Sequence, residues 1–184
     1  MRLFPLAILA SLLLGTLSTC RQPDPAPSLP FTLTLQVLNE QGVETSAFPA
    51  GQNQVFCLTL TNGSDQPLFF AAPLFDAASF LEIEGTSGEA ATTCRSFGKP
   101  YQHIFCAYVG GYSVPAHQSR VLTIGWLDSP RVSISSFFCG HAATAPLPAG
   151  SYRTAFTPAL TWSHPRQAAT VSPLPTLRQT FEVR

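Results

Sequence analysis

From Phe48 to Asn62 the chain reads FPAGQNQVFCLTLTN, a turn feeding a stretch in which Phe56, Leu58 and Leu60 alternate with Val55, Cys57, Thr59 and Thr61. Successive Cβ atoms leave opposite faces of a pleated chain, so a repeat of two residues marks a β-strand. Here one face is apolar and needs partners to cover it. The same period recurs in Phe31–Leu38, where Phe31, Leu33, Leu35 and Val37 share a face. It recurs in Ser119–Leu127 with Leu122, Ile124 and Trp126, and in Gly150–Phe156 with Tyr152 and Phe156. In Leu177–Val183, Leu177, Phe181 and Val183 oppose Arg178, Thr180 and Glu182. Pro67–Ala71 reads as a shorter strand whose proline marks an edge or a strand start. Ser79–Glu84 and Arg131–Phe137 carry weaker alternation.

With 17 Pro and 12 Gly, long helices are excluded, and turn signals such as Asn39-Glu40-Gln41-Gly42 and Asn62-Gly63-Ser64-Asp65 separate the strands. The pattern predicts an all-β sandwich of about seven or eight short strands. Two stretches break the rhythm. Residues 85–118 form a polar, glycine-containing excursion, with a strand over Ile104–Val109 inside it and Gly110–Pro115 as loop. Ala159–Pro175 is proline-rich and reads as a loop or an irregular hairpin.

The first 19 residues are read as a signal peptide: Arg2 is followed by an apolar run from Leu3 to Leu17, then small residues. Leu17-Ser18-Thr19-Cys20 resembles the lipobox of bacterial lipoproteins, with Thr19 where Gly or Ala usually stands. The resemblance implies that Cys20 is lipidated, that the chain is cut before it, and that the protein sits on a membrane of the cell envelope. Residues 20–30 then comprise the anchor and a tether, RQPDPAPSLP, whose four prolines keep it extended. Residues 31–184 remain as one domain, in keeping with the chain length.

Three motifs carry a second resemblance. Pro49-Ala50-Gly51-Gln52 stands before a strand, Leu58–Asp65 combines a strand with an Asn turn, and Leu147-Pro148-Ala149-Gly150-Ser151-Tyr152 leads into a late strand. Together they resemble immunoglobulin-like modules of bacterial envelope proteins, and the pattern is similar to that of the intracellular proteinase inhibitor family. The resemblance implies an immunoglobulin-like β-sandwich with one long loop excursion.

Setting Cys20 aside, Cys57, Cys94, Cys106 and Cys139 remain. An even number in an exported chain reads as two disulfides, each worth about 2–4 kcal/mol. Three pairings are open; Cys94 with Cys106 would close the excursion and leave Cys57 for Cys139. Cys57 lies opposite the apolar face of its strand, which argues against a bridge through the core. The alternative is a metal site drawn from His103, Cys106, Cys139 and His141, whose spacing matches no standard finger. His117 and His164 read as loop residues. Glu82 and Glu84 are neighbours on one strand face, whereas glycosidic chemistry needs carboxyls across a cleft, so they read as a solvated face.

No catalytic motif and no cofactor site emerges, and the expectation is a non-enzymatic protein. A formal net charge of +0 with no basic run argues against nucleic acid. The expected function is binding of an envelope protein or glycan through the excursion. Tyr101, Phe105, Tyr108 and Tyr112 are its candidate contacts, because loop aromatics give contact area at low entropic cost. The competing reading places those rings in a second core layer. A proteinase inhibitor presenting the same loop is the alternative function.

Overall fold

The computed structural model describes residues 28–71, 81–88, 96–98, 100–103, 111–132 and 140–184. Cys20, Cys94, Phe105, Cys106, Tyr108 and Cys139 lie outside them, as do the signal peptide and the strand expected at Ile104–Val109. The first strands are β1 (Phe31–Leu38), β2 (Ala47–Phe48), β3 (Val55–Asn62), β4 (Leu68–Ala71), β5 (Glu82–Gly88), β6 (Ser96–Gly98) and β7 (Tyr101–His103). They are followed by β8 (Gly111–Val114), β9 (Ser119–Gly125), β10 (Gly140–Ala142), β11 (Gly150–Phe156), β12 (Ala159–Ser163), β13 (Thr170–Pro173) and β14 (Leu177–Val183). No helix among the described residues is long and apolar enough to cross a membrane. The architecture is an all-β, immunoglobulin-like sandwich.

One layer is the antiparallel sheet β1-β3-β9. Its register sets Leu35 beside Leu58 and Leu58 beside Leu122, and Val37 beside Phe56 and Phe56 beside Ile124. The alternating apolar sets thus form continuous rows on one face. The central strand is covered more fully than its alternation implied: Val55 and Cys57, on the opposite face, are 4% and 5% exposed.

The second layer is built on one long hairpin. Its outer half is β11 against β14, from Gly150↔Val183 to Phe156↔Leu177. Its inner half is β12 against β13, from Ala159↔Pro173 to Trp162↔Thr170. Pro158 and Pro175 stand between the halves and Pro173 ends the inner one, and none of them supplies an N–H to a ladder. The hairpin breaks there, with Leu174 N donating to Pro158 O at 2.9 Å and the Thr157 and Thr176 hydroxyls 2.7 Å apart. Each half recruits its own sheet: β2-β14-β11-β5-β6 on one side of the break and β13-β12-β4-β8 on the other. The proline-rich stretch 159–175 is therefore a hairpin and the continuation of the flanking strands.

Both halves pack on the three-stranded sheet. Phe31 meets Phe70 and Trp162 edge-on at 5.2 and 5.7 Å, and Phe56 meets Phe181 at 6.0 Å. The result is one apolar core. Two of the three resemblance motifs serve it directly. Gly51, at φ +79°, takes the third place of a turn closed by Gln52 N on Pro49 O. Tyr152 stacks on Phe181 with centroids 5.2 Å apart, and its hydroxyl donates back to Pro148 O, the corner typical of immunoglobulin-like sandwiches.

The excursion needs correction. Gly85-Thr86-Ser87-Gly88 does not open a loop; it continues β5 alongside β11, with a register shift that leaves Thr86 as the extra residue of a bulge. Gly111–Val114 is strand β8 and pairs with β4. Glycine usually weakens a strand, but Gly111 is needed here: a Cβ would lie 2.8 Å from Phe70 O. Most of the described part of residues 85–118 is thus paired strand, in three sheets, with a turn over 115–118.

Candidate binding surface

The sandwich has two dissimilar ends. At one end the chain comes in through Pro30, whose carbonyl accepts from Gly63 N at 2.8 Å, and Phe31 pairs with Asn62. Asn62 organises this end. Only 1% exposed, it donates through Nδ2 to Gln66 O, Val114 O and Pro115 O at 2.8, 3.0 and 3.1 Å. Its Oδ1 accepts from Ser64 N and Ser64 Oγ. One amide therefore holds the β3–β4 turn against the β8–β9 turn. On the surface, Asp65 and His117 add a 2.9 Å contact between the same turns, both well exposed.

At the other end, Leu38 pairs with Val55 and Val55 with Gly125. Asn53 imitates a strand here: Nδ2 donates to Leu127 O at 2.8 Å and Oδ1 accepts from Leu127 N at 2.7 Å. Ala143 N donates to Trp126 O, and the Trp126 indole donates to Ala145 O at 2.9 Å. Ala143 directly follows β10, which pairs with β7. The β7–β10 ribbon, and with it part of the excursion, is therefore attached at the end remote from Phe31. Seven residues of β1 separate the two ends, roughly 23 Å at 3.3 Å per residue.

The structure treats the sequence-derived candidates unevenly. Tyr112 is 5% exposed, opposite Phe70 in the core, with the Arg120 guanidinium 5.6 Å from its ring centroid. It is a core residue and not an exposed contact, because β8 pairs with β4 and turns the ring inward. Tyr101 lies in β7, opposite Ala142. Phe105 and Tyr108 lie outside the described residues. Cys57 is a buried free thiol; burial pushes its pKa up, against a smaller opposing effect of a hydrogen bond with Thr59. Its expected partner Cys139, and Cys94 and Cys106, lie outside the described residues. The ribbon does bring the two metal-ligand candidates His103 and His141 into adjoining strands, but with His103 opposite Gly140 and His141 opposite Gln102. Among the described residues no group of three or more His, Cys, Asp or Glu could hold a metal ion.

A second surface went unnoticed in the sequence. On the outer face of the five-stranded sheet, Glu84 sits beside Arg153 and Arg153 beside Thr180. In the next row Ser87 sits beside Ser151 and Ser151 beside Glu182. Arg153 Nε donates to Glu84 at 2.8 Å, and the Arg184 guanidinium to Glu182 at 2.9 Å. Among the described residues, two hollows lie on this face and another lies in the seam beside it. One of about 540 Å³ occupies the seam between β1 and β14, where Gln179 Nε2 reaches Leu35 O at 2.7 Å. It shares Ser46 and Thr180 with a hollow of about 370 Å³, which shares Arg153 with a third of about 240 Å³. Ser151, Arg153 and Ala155 alternate with the apolar set Tyr152 and Phe156 in the sequence. Its alignment with β5 and β14 was not, because cross-strand neighbours come from register.

No protein-family model matches this chain, and no curated protein matches it. Solved structures do resemble it at low identity. A PapD-like domain of human CEP192 covers 92% of this chain and 98% of its own length, at 11% identity and a TM-score of 0.41. The C-terminal domain of wzt covers 89% and 80%, at 12% identity and a TM-score of 0.35. The CARDB domain of the PF1109 protein from Pyrococcus furiosus, described in complex with di-metal ions, covers 84% and 89% at 12% identity and a TM-score of 0.33. These are likenesses of fold.

Proposed function

We propose that this protein is a non-enzymatic binding module held on a membrane of the bacterial envelope by a lipidated Cys20. Its protein or glycan partner is met away from the tether. The observation that carries this reading is the polarity of the sandwich. The chain comes in at the Asn62 end through Pro30 and Phe31, and the β7–β10 ribbon is attached at the opposite end. A tether ending at Phe31 would turn the Asn62 end towards the lipid. It would hold the Asn39–Val43 turn and the ribbon outward, at the distance an extended, proline-rich Arg21–Pro30 allows, roughly 30 Å. Exposed Val43 on that turn adds an apolar contact, at 59% exposure. A single acyl chain anchors weakly and several anchor stably, so the acylation implied at Cys20 suits lasting retention.

Two measurements test this. The intact mass of the protein from its own host should begin at Cys20 with added lipid; an unlipidated start elsewhere would overturn the tether. Photocrosslinkers at Gln41 and Val43 should then capture a partner in cells, while one at Asp65 should not. Capture from Asp65 alone would reverse the proposed orientation.

A further inference from the structure

We propose that the Asn62-Gly63 step is a deamidation site that the native fold keeps closed, and that its modification makes unfolding of this domain irreversible. The inference is independent of the tether and of any binding partner.

The chain has three asparagines, Asn39, Asn53 and Asn62, and only Asn62 precedes a glycine. In an Asn-Gly step no side chain shields the glycine nitrogen. Once deprotonated, Gly63 N attacks Asn62 Cγ. The N–Cγ bond forms, the Cγ–Nδ2 bond breaks, and ammonia leaves carrying the proton that Gly63 N gave up. Water then opens the cyclic imide at either carbonyl, which leaves aspartate or isoaspartate at position 62. The fold does not demand this glycine. Its φ lies outside the left-handed region, and a Cβ there would meet only Pro30 O, at an ordinary 3.6 Å.

The native structure closes the route at each stage. Gly63 N donates to Pro30 O at 2.8 Å and Asn62 N to Gln118 O at 2.9 Å, so the backbone is held on both sides of the reacting carbon. Asn62 is paired with Phe31 at the end of an extended ladder, and cyclisation requires it to leave that ladder. Nδ2, the leaving nitrogen, is fixed on Gln66 O, Val114 O and Pro115 O. At 1% exposure the side chain also admits no water to open an imide. Unfolding releases all of these restraints together.

Return is then barred by charge and by geometry. An ionised aspartate can only accept hydrogen bonds, and the three carbonyl oxygens that Nδ2 served would face it. An isoaspartate carries the main chain through Cβ, which lengthens it by one atom where Phe31 and Asn62 close the ladder. Chemical modification of the unfolded state is a general route to irreversible unfolding.

The test incubates the exported protein, native and urea-unfolded, side by side in mildly alkaline buffer. Peptide masses and enzymatic methylation of isoaspartate read the modification. Asn62 should deamidate roughly tenfold or more slowly in the native protein, because attack waits on local opening. In the unfolded chain it should outpace Asn39 and Asn53. After dilution from urea, the fraction regaining native tryptophan fluorescence should fall in step with modification at position 62. Gly63→Ala should slow the reaction in the unfolded chain and preserve the refolding yield, and an unchanged melting temperature would show that its fold survives. Asn62→Asp, made directly, should unfold at a lower urea concentration than the parent. The proposal is overturned if native and unfolded protein deamidate at Asn62 equally fast, or if modified chains refold as unmodified ones do. It is also overturned if Gly63→Ala loses refolding yield at the parent's rate.

Discussion

The Asn62 side-chain amide donates to the Val114 carbonyl across 3.0 Å, joining β3 of one sheet to β8 of another. Five hydrogen bonds in all meet on this one buried side chain. Truncating it strands the buried Val114 carbonyl and removes two part-buried bonds, to Gln66 O and Pro115 O. Asn62→Ala should cost about 3 kcal/mol, since each buried unsatisfied group costs about 1–3 kcal/mol. Urea unfolding checks this, and a loss below about 1 kcal/mol would show that the turns are held by other contacts.

Tyr152 makes two separable contributions, a ring stacked on Phe181 and a hydroxyl on Pro148 O. Tyr152→Phe keeps the first and should cost about 1–2 kcal/mol. Tyr152→Ala loses both and should cost about 3–5 kcal/mol. Equal losses for the two variants would place the whole effect in the hydroxyl.

Cys57 is a free, buried thiol whose pKa is pushed up, chiefly by burial. Native protein should react slowly with iodoacetamide at Cys57 and quickly in urea. The neutral thiol is favoured by the fold, so its contribution is fully present below the ordinary thiol pKa of about 8.5 and lost as pH rises through the raised value. Stability should therefore fall more steeply above that pH in the parent than in Cys57→Ala. Parallel pH profiles would remove Cys57 from the account.

Gly125 and Gly42 separate steric from conformational cost. A Cβ at Gly125 would lie 2.7 Å from Leu127 O and 3.1 Å from Asn53 Nδ2. That collision disturbs the strand imitation by Asn53, and Gly125→Ala should cost about 2–3 kcal/mol. Gly42 has open space but a φ of +78°, so Gly42→Ala should cost about 1 kcal/mol, from backbone strain alone. Thermal melts of the two variants should rank in that order.

Much of the sandwich was legible in the chain because alternation is a local property. Phe31–Leu38, Gly150–Phe156 and Leu177–Val183 were bounded by their own pattern, and the structure begins and ends those strands at the same residues. Glycine and proline misled where neighbours overruled them. Gly85 to Gly88 pairs because β11 lies alongside, and Gly111 sits in a strand because the Phe70 carbonyl leaves no room for a Cβ. Tyr112 looked like an exposed loop aromatic for the same reason: without β4 beside it, nothing local says which way its ring turns.

The sequence by itself determined the class of fold, the apolar face of each strong strand, and the glycine and tyrosine corners, since all of these follow from backbone geometry within a few residues. Only the tertiary structure decided that Asn62 is buried, that Cys57 is covered on what looked like an open face, and that Ser46, Arg153 and Thr180 line one hollow. Burial and cross-strand adjacency come from register between segments as far apart as β2 and β14, and no local pattern encodes that distance.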